Sequence, residues 1–187
     1  MRPLLGVGVG LLCSVITYVA LAQESAPWQP ASPGSKFEYI PRGREIIADV
    51  NGFDVSVSAG RKSFKRYALV FRETGDTRGA DHDALEALWP LEVGKQASFS
   101  FERNRARRVE YNVAGIETVT VPAGTFDTFV IEETERTIGG RGKSERKQTY
   151  WYSPEIGYIV KRVLSVISGK NAGLKRTWDL LEYNIRK

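Results

Sequence analysis

From Lys36 onward the chain runs in short stretches of alternating apolar and polar residues, most of them closed by glycine, proline or asparagine. A period of two is the repeat of a strand, whose successive side chains point to opposite faces. In GREIIADV-NG-FDVSVSAG, Asn51-Gly52 separates two β-rich segments, and both residues tolerate the positive φ that a two-residue hairpin turn needs. Phe53, Val55 and Val57 then alternate with Asp54, Ser56 and Ser58, which predicts one buried face. KRYALVFRE repeats the pattern with Tyr67, Leu69 and Phe71 on one side, and SFSFE repeats it with Phe99 and Phe101.

One segment has helical spacing. In ADHDALEALW, acidic residues occupy the first turn, Leu85, Leu88 and Trp89 share a face, and Pro90 ends the run. The second half is longer-stranded. VTVPAGTFDTFVIEE reads as a hairpin corner: Pro122 fixes φ at the turn's second position, and Gly124 can take positive φ at or just after the third. SPEIG is a second reversal, with Gly157 leading into YIVKRVLSVI. That strand carries Tyr158, Val160, Leu164 and Val166 on one face and Ile159, Val163 and Ile167 on the other. It is therefore covered on both sides, or faces a cavity, or meets another chain. The predicted fold is mainly β: one strongly curved antiparallel sheet, a half-barrel or barrel-like meander, with one short helix.

Upstream, MRPLLGVGVGLLCSVITYVALAQESA reads as a secretory signal peptide, with Arg2 before an apolar run and Ala20-Leu21-Ala22 as the cleavage site. An uncleaved membrane anchor is the rival reading. Cleavage after Ala22 leaves 165 of the 187 residues, enough for one domain with a real core. The expected division is signal peptide 1–22, flexible lead-in 23–35 (rich in Pro, Ser and Ala) and a single β domain 36–187. Cys13, the only cysteine, falls in the signal, so no disulfide-linked partner and no thiolate chemistry are expected. Without Arg2 there are 26 basic residues against 22 acidic ones, a balance of +4. Export argues against nucleic acid and leaves anionic envelope components as the available partners, but so mild a balance reads first as ordinary solubilising charge.

The motifs for chemistry are thin. A lone histidine, His82, sits in DHD at the helix start, where carboxylates and water surround it; no Gly-x-Ser-x-Gly elbow is present. Asp81, His82 and Asp83 are consecutive, so a helix fans them apart and no metal site or cofactor is expected. Glu132, Glu133 and Glu135 follow a strand whose alternation separates Glu132 from the other two, and arginines on neighbouring strands are their expected partners. GGRGKS lies between strands rather than between a strand and a helix, so it is a hairpin loop and not a nucleotide-binding one.

WPLEVGKQASF near Trp89, GIETVTVPAGTFDTF from Gly115 and YWYSPEIGYIVKR from Tyr150 together resemble a pattern of exported bacterial proteins of unassigned function. Such families are similar in shape to the periplasmic lipoprotein carriers, which implies a curved antiparallel sheet with a concave apolar face and binding or assembly rather than catalysis. No functional residue carries over. Candidate ligand-lining aromatics are Trp89, Phe99, Phe101, Trp151, Tyr158 and Trp178; candidate contacts to an anionic surface are Arg105, Arg107, Arg108, Arg141 and Lys143. The leading expectation is a non-catalytic envelope protein that binds an apolar or amphipathic, lipid-like ligand or an envelope partner. A structural module without ligand and a carboxylate-dependent hydrolase of envelope polysaccharide are the alternatives, and the oligomeric state is open.

Overall fold

The computed structural model describes residues 25–41, 43–73, 80–103, 105–138 and 143–187. The expected signal segment, the loop around Arg141 and the tip of the NRARR turn lie outside the described residues. Among the described residues thirteen strands and one short helix follow one another: β1 (Ser25–Ala26), β2 (Lys36–Ile40), β3 (Arg44–Asn51), β4 (Asp54–Ala59), β5 (Lys62–Tyr67), β6 (Phe71–Glu73), α1 (His82–Glu86), β7 (Leu91–Glu92), β8 (Gln96–Arg103), β9 (Arg105–Val121), β10 (Gly124–Thr137), β11 (Glu145–Ser153), β12 (Tyr158–Ser168) and β13 (Lys175–Asn184). Eleven strands form one antiparallel sheet in the order β6-β5-β4-β3-β2-β13-β12-β11-β10-β9-β8, and β1 pairs with β7 in a small second sheet. The architecture is the curved meander that the alternation predicts.

The sheet is open in its hydrogen bonding yet curled until its ends meet. Phe71 on edge strand β6 packs edge-on against Phe99 and Phe101 of the opposite edge strand β8, with centroids 5.4 and 5.3 Å apart. Tyr150 of β11 reaches across the interior to the Val70 carbonyl oxygen, at 2.9 Å. The corner between β9 and β10 also bends inward, where the Ala123 amide donates to the Leu180 carbonyl of β13 at 3.0 Å. Bulges at Val130/Ile131 and Trp151/Tyr152 sharpen the curvature.

Three local readings change. In the β3–β4 hairpin Asn51 pairs with Asp54, so the loop is Gly52-Phe53, one residue later than Asn51-Gly52. Gly52 takes φ +57 as the first loop residue, and Phe53 is freed to stack on Trp28 at 4.7 Å. KRYALVFRE is two strands rather than one. Ala68 and Leu69 turn with φ of 48° and 63°, conformations uncommon outside glycine, and the turn is held because Ala68, Leu69 and Val70 are all buried.

The third change concerns the lead-in, whose described residues are docked rather than flexible. The Trp28 indole lies against Phe53 and Trp89 and donates to the Gly52 carbonyl at 2.9 Å. The Ala31 amide donates to the Gly157 carbonyl at 3.0 Å. Gly157 sits in the predicted SPEIG reversal at φ +63, and a Cβ there would come within 2.5 Å of the Gln29 carbonyl oxygen. Among the described residues no helix is long and apolar enough to cross a membrane.

Candidate functional site

The alternation that builds the core also places charge inside it. On β10 the buried face runs Phe129, Ile131, Glu133, Glu135; on β11 it runs Tyr152, Tyr150, Gln148, Arg146. These faces change from apolar at one end of the curl to ionic at the other. There they wall a cavity of about 290 Å³, together with Arg66, Arg72, Arg162, Leu164 and Trp178. Val70 and Phe71 supply its apolar floor, and six strands contribute to one wall.

Each carboxylate at the wall has a defined environment. Glu135, 3% exposed, is clasped by Arg107 from β9 and Arg146 from β11. Glu45 pairs with Arg66 at 2.9 Å and accepts the Tyr158 hydroxyl at 2.8 Å. Burial pushes the Glu45 carboxyl up, but Arg66, Arg162 and the Tyr158 hydrogen bond outweigh it and hold it below the ordinary carboxylate range. Arg66 is only 3% exposed; its burial favours loss of the proton, and Glu45 more than restores the charged form.

Glu133 behaves in the opposite way. Its Oε2 lies 2.7 Å from the Tyr150 hydroxyl and 3.3 Å from that of Tyr111. The Tyr150 hydroxyl also lies 2.9 Å from the Val70 carbonyl oxygen, which can only accept. One phenol proton cannot serve both acceptors. The Tyr150 oxygen also accepts from the Gln148 side-chain amide, so this one phenol ties together Gln148, Glu133 and Val70. Burial pushes the Glu133 carboxyl up, against the pull of Arg146 and the Tyr150 hydrogen bond.

Arg162 completes the wall. Its guanidinium lies 4.3 Å from the Trp178 ring centroid, and among the described residues it forms no ion pair. The Nε atoms of Arg66 and Arg146 are buried without a protein acceptor.

Of the six aromatic candidates, Trp178 lines this cavity. Phe99 and Phe101 close the edge seam, and Trp89 packs edge-on against Tyr152. Tyr158 stacks on Phe37 at 4.1 Å, and its hydroxyl holds Glu45 from behind the wall. Trp151 points to the opposite face, donating to Glu117 at 2.8 Å. Arg107 and Arg108 are strand residues engaged by Glu135 and Glu110, Arg105 opens β9, and Lys143 is exposed. Glu132 is exposed, apart from buried Glu133 and Glu135, as alternation requires. His82 lies 2.8 Å from Glu73 and stacks on Tyr67 at 3.9 Å, and among the described residues no group of three or more ligating side chains is placed to hold a metal ion.

Sequence reasoning did not single out Arg66 or Arg162. The signal that could have found them is a charged residue at a position where strand alternation calls for an inward, apolar one.

Residues 95–163, from the start of β8 through most of β12, match the DUF3108-like family model. No curated protein matches the chain. Among solved structures it is similar to the hypothetical lipoprotein YmcC of Escherichia coli (K12), with 10% identity, 79% of this chain and 82% of that chain covered, and a TM-score of 0.48. It is similar also to a candidate lipoprotein from Parabacteroides distasonis (15% identity, 87% and 100% covered, TM-score 0.44). A candidate exported protein with a YmcC-like fold from Bacteroides fragilis gives 12% identity, 85% and 99% coverage, and a TM-score of 0.42.

Proposed function

We propose that the protein is an exported, non-catalytic binding protein of the bacterial envelope, holding a small amphipathic ligand inside the curl of its sheet. The observation that carries this reading is the cavity of about 290 Å³, in which Leu164, Val70, Phe71 and the Trp178 ring stand beside four guanidinium groups. Ligand sites are concave, largely pre-formed and fitted with a few convergent polar groups; about 300 Å³ is the lower end of their usual size. The expected concave surface is purely apolar; the observed one is mixed, which matches an amphipathic ligand better than a bare acyl chain.

Binding is favoured over polysaccharide hydrolysis because the carboxylates are already engaged. Glu133 and Glu135 stand two residues apart on one strand face, the first hydrogen-bonded by tyrosines and the second held by two arginines. A glycosidase pair instead flanks its substrate with one group free to attack or to activate water. The N-terminal signal pattern supports export. Native mass spectrometry of protein purified from its own host is expected to show a bound species of a few hundred daltons that is lost on denaturation. A ligand-free spectrum, with no small amphiphile binding in calorimetry, would sink the reading.

A further inference from the structure

Resting on that reading, we infer that the ligand's recognised end is an oxyanion, a carboxylate or a phosphate monoester, seated on Arg162 beside Trp178 with the Nε–H groups of Arg66 and Arg146 as further donors. Two independent observations lead there.

The first is a charge inventory. Within and just behind the wall the four arginines Arg66, Arg107, Arg146 and Arg162 stand against the three glutamates Glu45, Glu133 and Glu135. Glu45 is committed to Arg66, and Glu135 is shared by Arg107 and Arg146. Glu133 is hydrogen-bonded by Tyr150 and Tyr111. The wall thus keeps a positive surplus. Arg162 lies over an indole and, though close enough to Glu45 to help lower its carboxyl, makes no direct ion pair among the described residues, so an incoming anion meets there a guanidinium with donors to spare. A cation in a partly dewatered concavity attracts an anion more strongly than the same cation on an open surface, because the surroundings screen it less.

The second observation is unmet hydrogen bonding. Arg66 is almost wholly buried and lines the cavity, yet its Nε has no protein acceptor, and the same holds for the Nε of Arg146. Buried donors are nearly always satisfied. Both belong to side chains whose terminal nitrogens are fixed by Glu45 and Glu135, so the guanidinium planes are set before any ligand arrives. Such a fork fits the two or three oxygens of a carboxylate or phosphate, and Trp178 offers an apolar surface to the adjoining carbon chain.

The experiment is isothermal titration calorimetry with four eight-carbon probes: octanoate, octyl phosphate, octyl glucoside and octyltrimethylammonium. Octanoate or octyl phosphate is expected to bind at least tenfold more tightly than the neutral and cationic probes. Whichever of the two is preferred tells carboxylate from phosphate. Arg162→Gln should weaken anion binding at least tenfold with octyl glucoside unaffected, and Arg162→Lys should fall between. Circular dichroism and thermal melting of both variants establish that the fold is intact, and the probe series on the unaltered protein stands without them. Equal binding of all four probes, or an Arg162→Gln variant that still prefers anions, overturns the inference while leaving the amphipathic site in place. Binding of none overturns both.

Discussion

Two glutamates, the half-buried Glu45 and the buried Glu133, give the protein opposite responses to pH. Glu45 has a depressed carboxyl, so its ion pair with Arg66 contributes stability above the unfolded-state value, and that stability is lost as pH falls through the folded value. Glu133 has a raised carboxyl, so its contribution is complete below the unfolded-state value and is lost as pH rises through the folded one. Unfolding free energy measured by urea titration is therefore expected to decline on the acid side through Glu45 and on the less acid side through Glu133. Glu133→Gln, which keeps an acceptor for Tyr111 and cannot ionise, should abolish the decline on the less acid side and leave the acid limb untouched. An unchanged profile in that variant would show that burial does not raise the Glu133 carboxyl in the folded protein.

At the scale of elements, turns chosen by backbone chemistry were legible and turns chosen by packing were not. Gly157 and the Pro122–Gly124 corner announce themselves because only certain residues suit those dihedral angles. The Ala68–Val70 turn contains no residue that favours a reversal; burial of all three side chains holds it, and burial is not visible locally. Trp28 was hidden for a similar reason. A Pro/Ser-rich setting reads as coil, while the docking of the segment depends on Phe53 and Trp89, which arrive much later in the chain. Gly157 links these elements, since its missing Cβ admits the Gln29–Ala31 backbone. Gly157→Ala is expected to cost about 3 kcal/mol, from a positive φ and contact with backbone that cannot yield. Limited proteolysis should then cut near Trp28 faster than in the unaltered protein; equal cutting rates would mean that the segment is held independently of this turn.

For the whole molecule, strand alternation foretold which residues point inward but not which of them meet. The cavity joins Arg66 to Glu133 and Trp178 through a curl set by bulges and by the closing of two edges, and no short-range pattern encodes that. Phe71 is the keystone of the closure. Replacing it with alanine is expected to cost about 3 kcal/mol, the usual penalty for truncating a buried aromatic. Amide exchange should accelerate in β5, β6 and β8 while β10 to β12 stay protected. Uniform acceleration would mean that the edges do not open separately from the rest.

The seam between β6 and β8 also makes the molecule mechanically uneven. Across it, resistance to separation comes from aromatic contacts that can be peeled one after another. Along β9 and β10, fourteen residue pairs in register must shear together. A pull applied across the seam would unclasp the curl at low force and expose the arginine-lined interior. The same pull along the long hairpin would meet the full strength of its ladder.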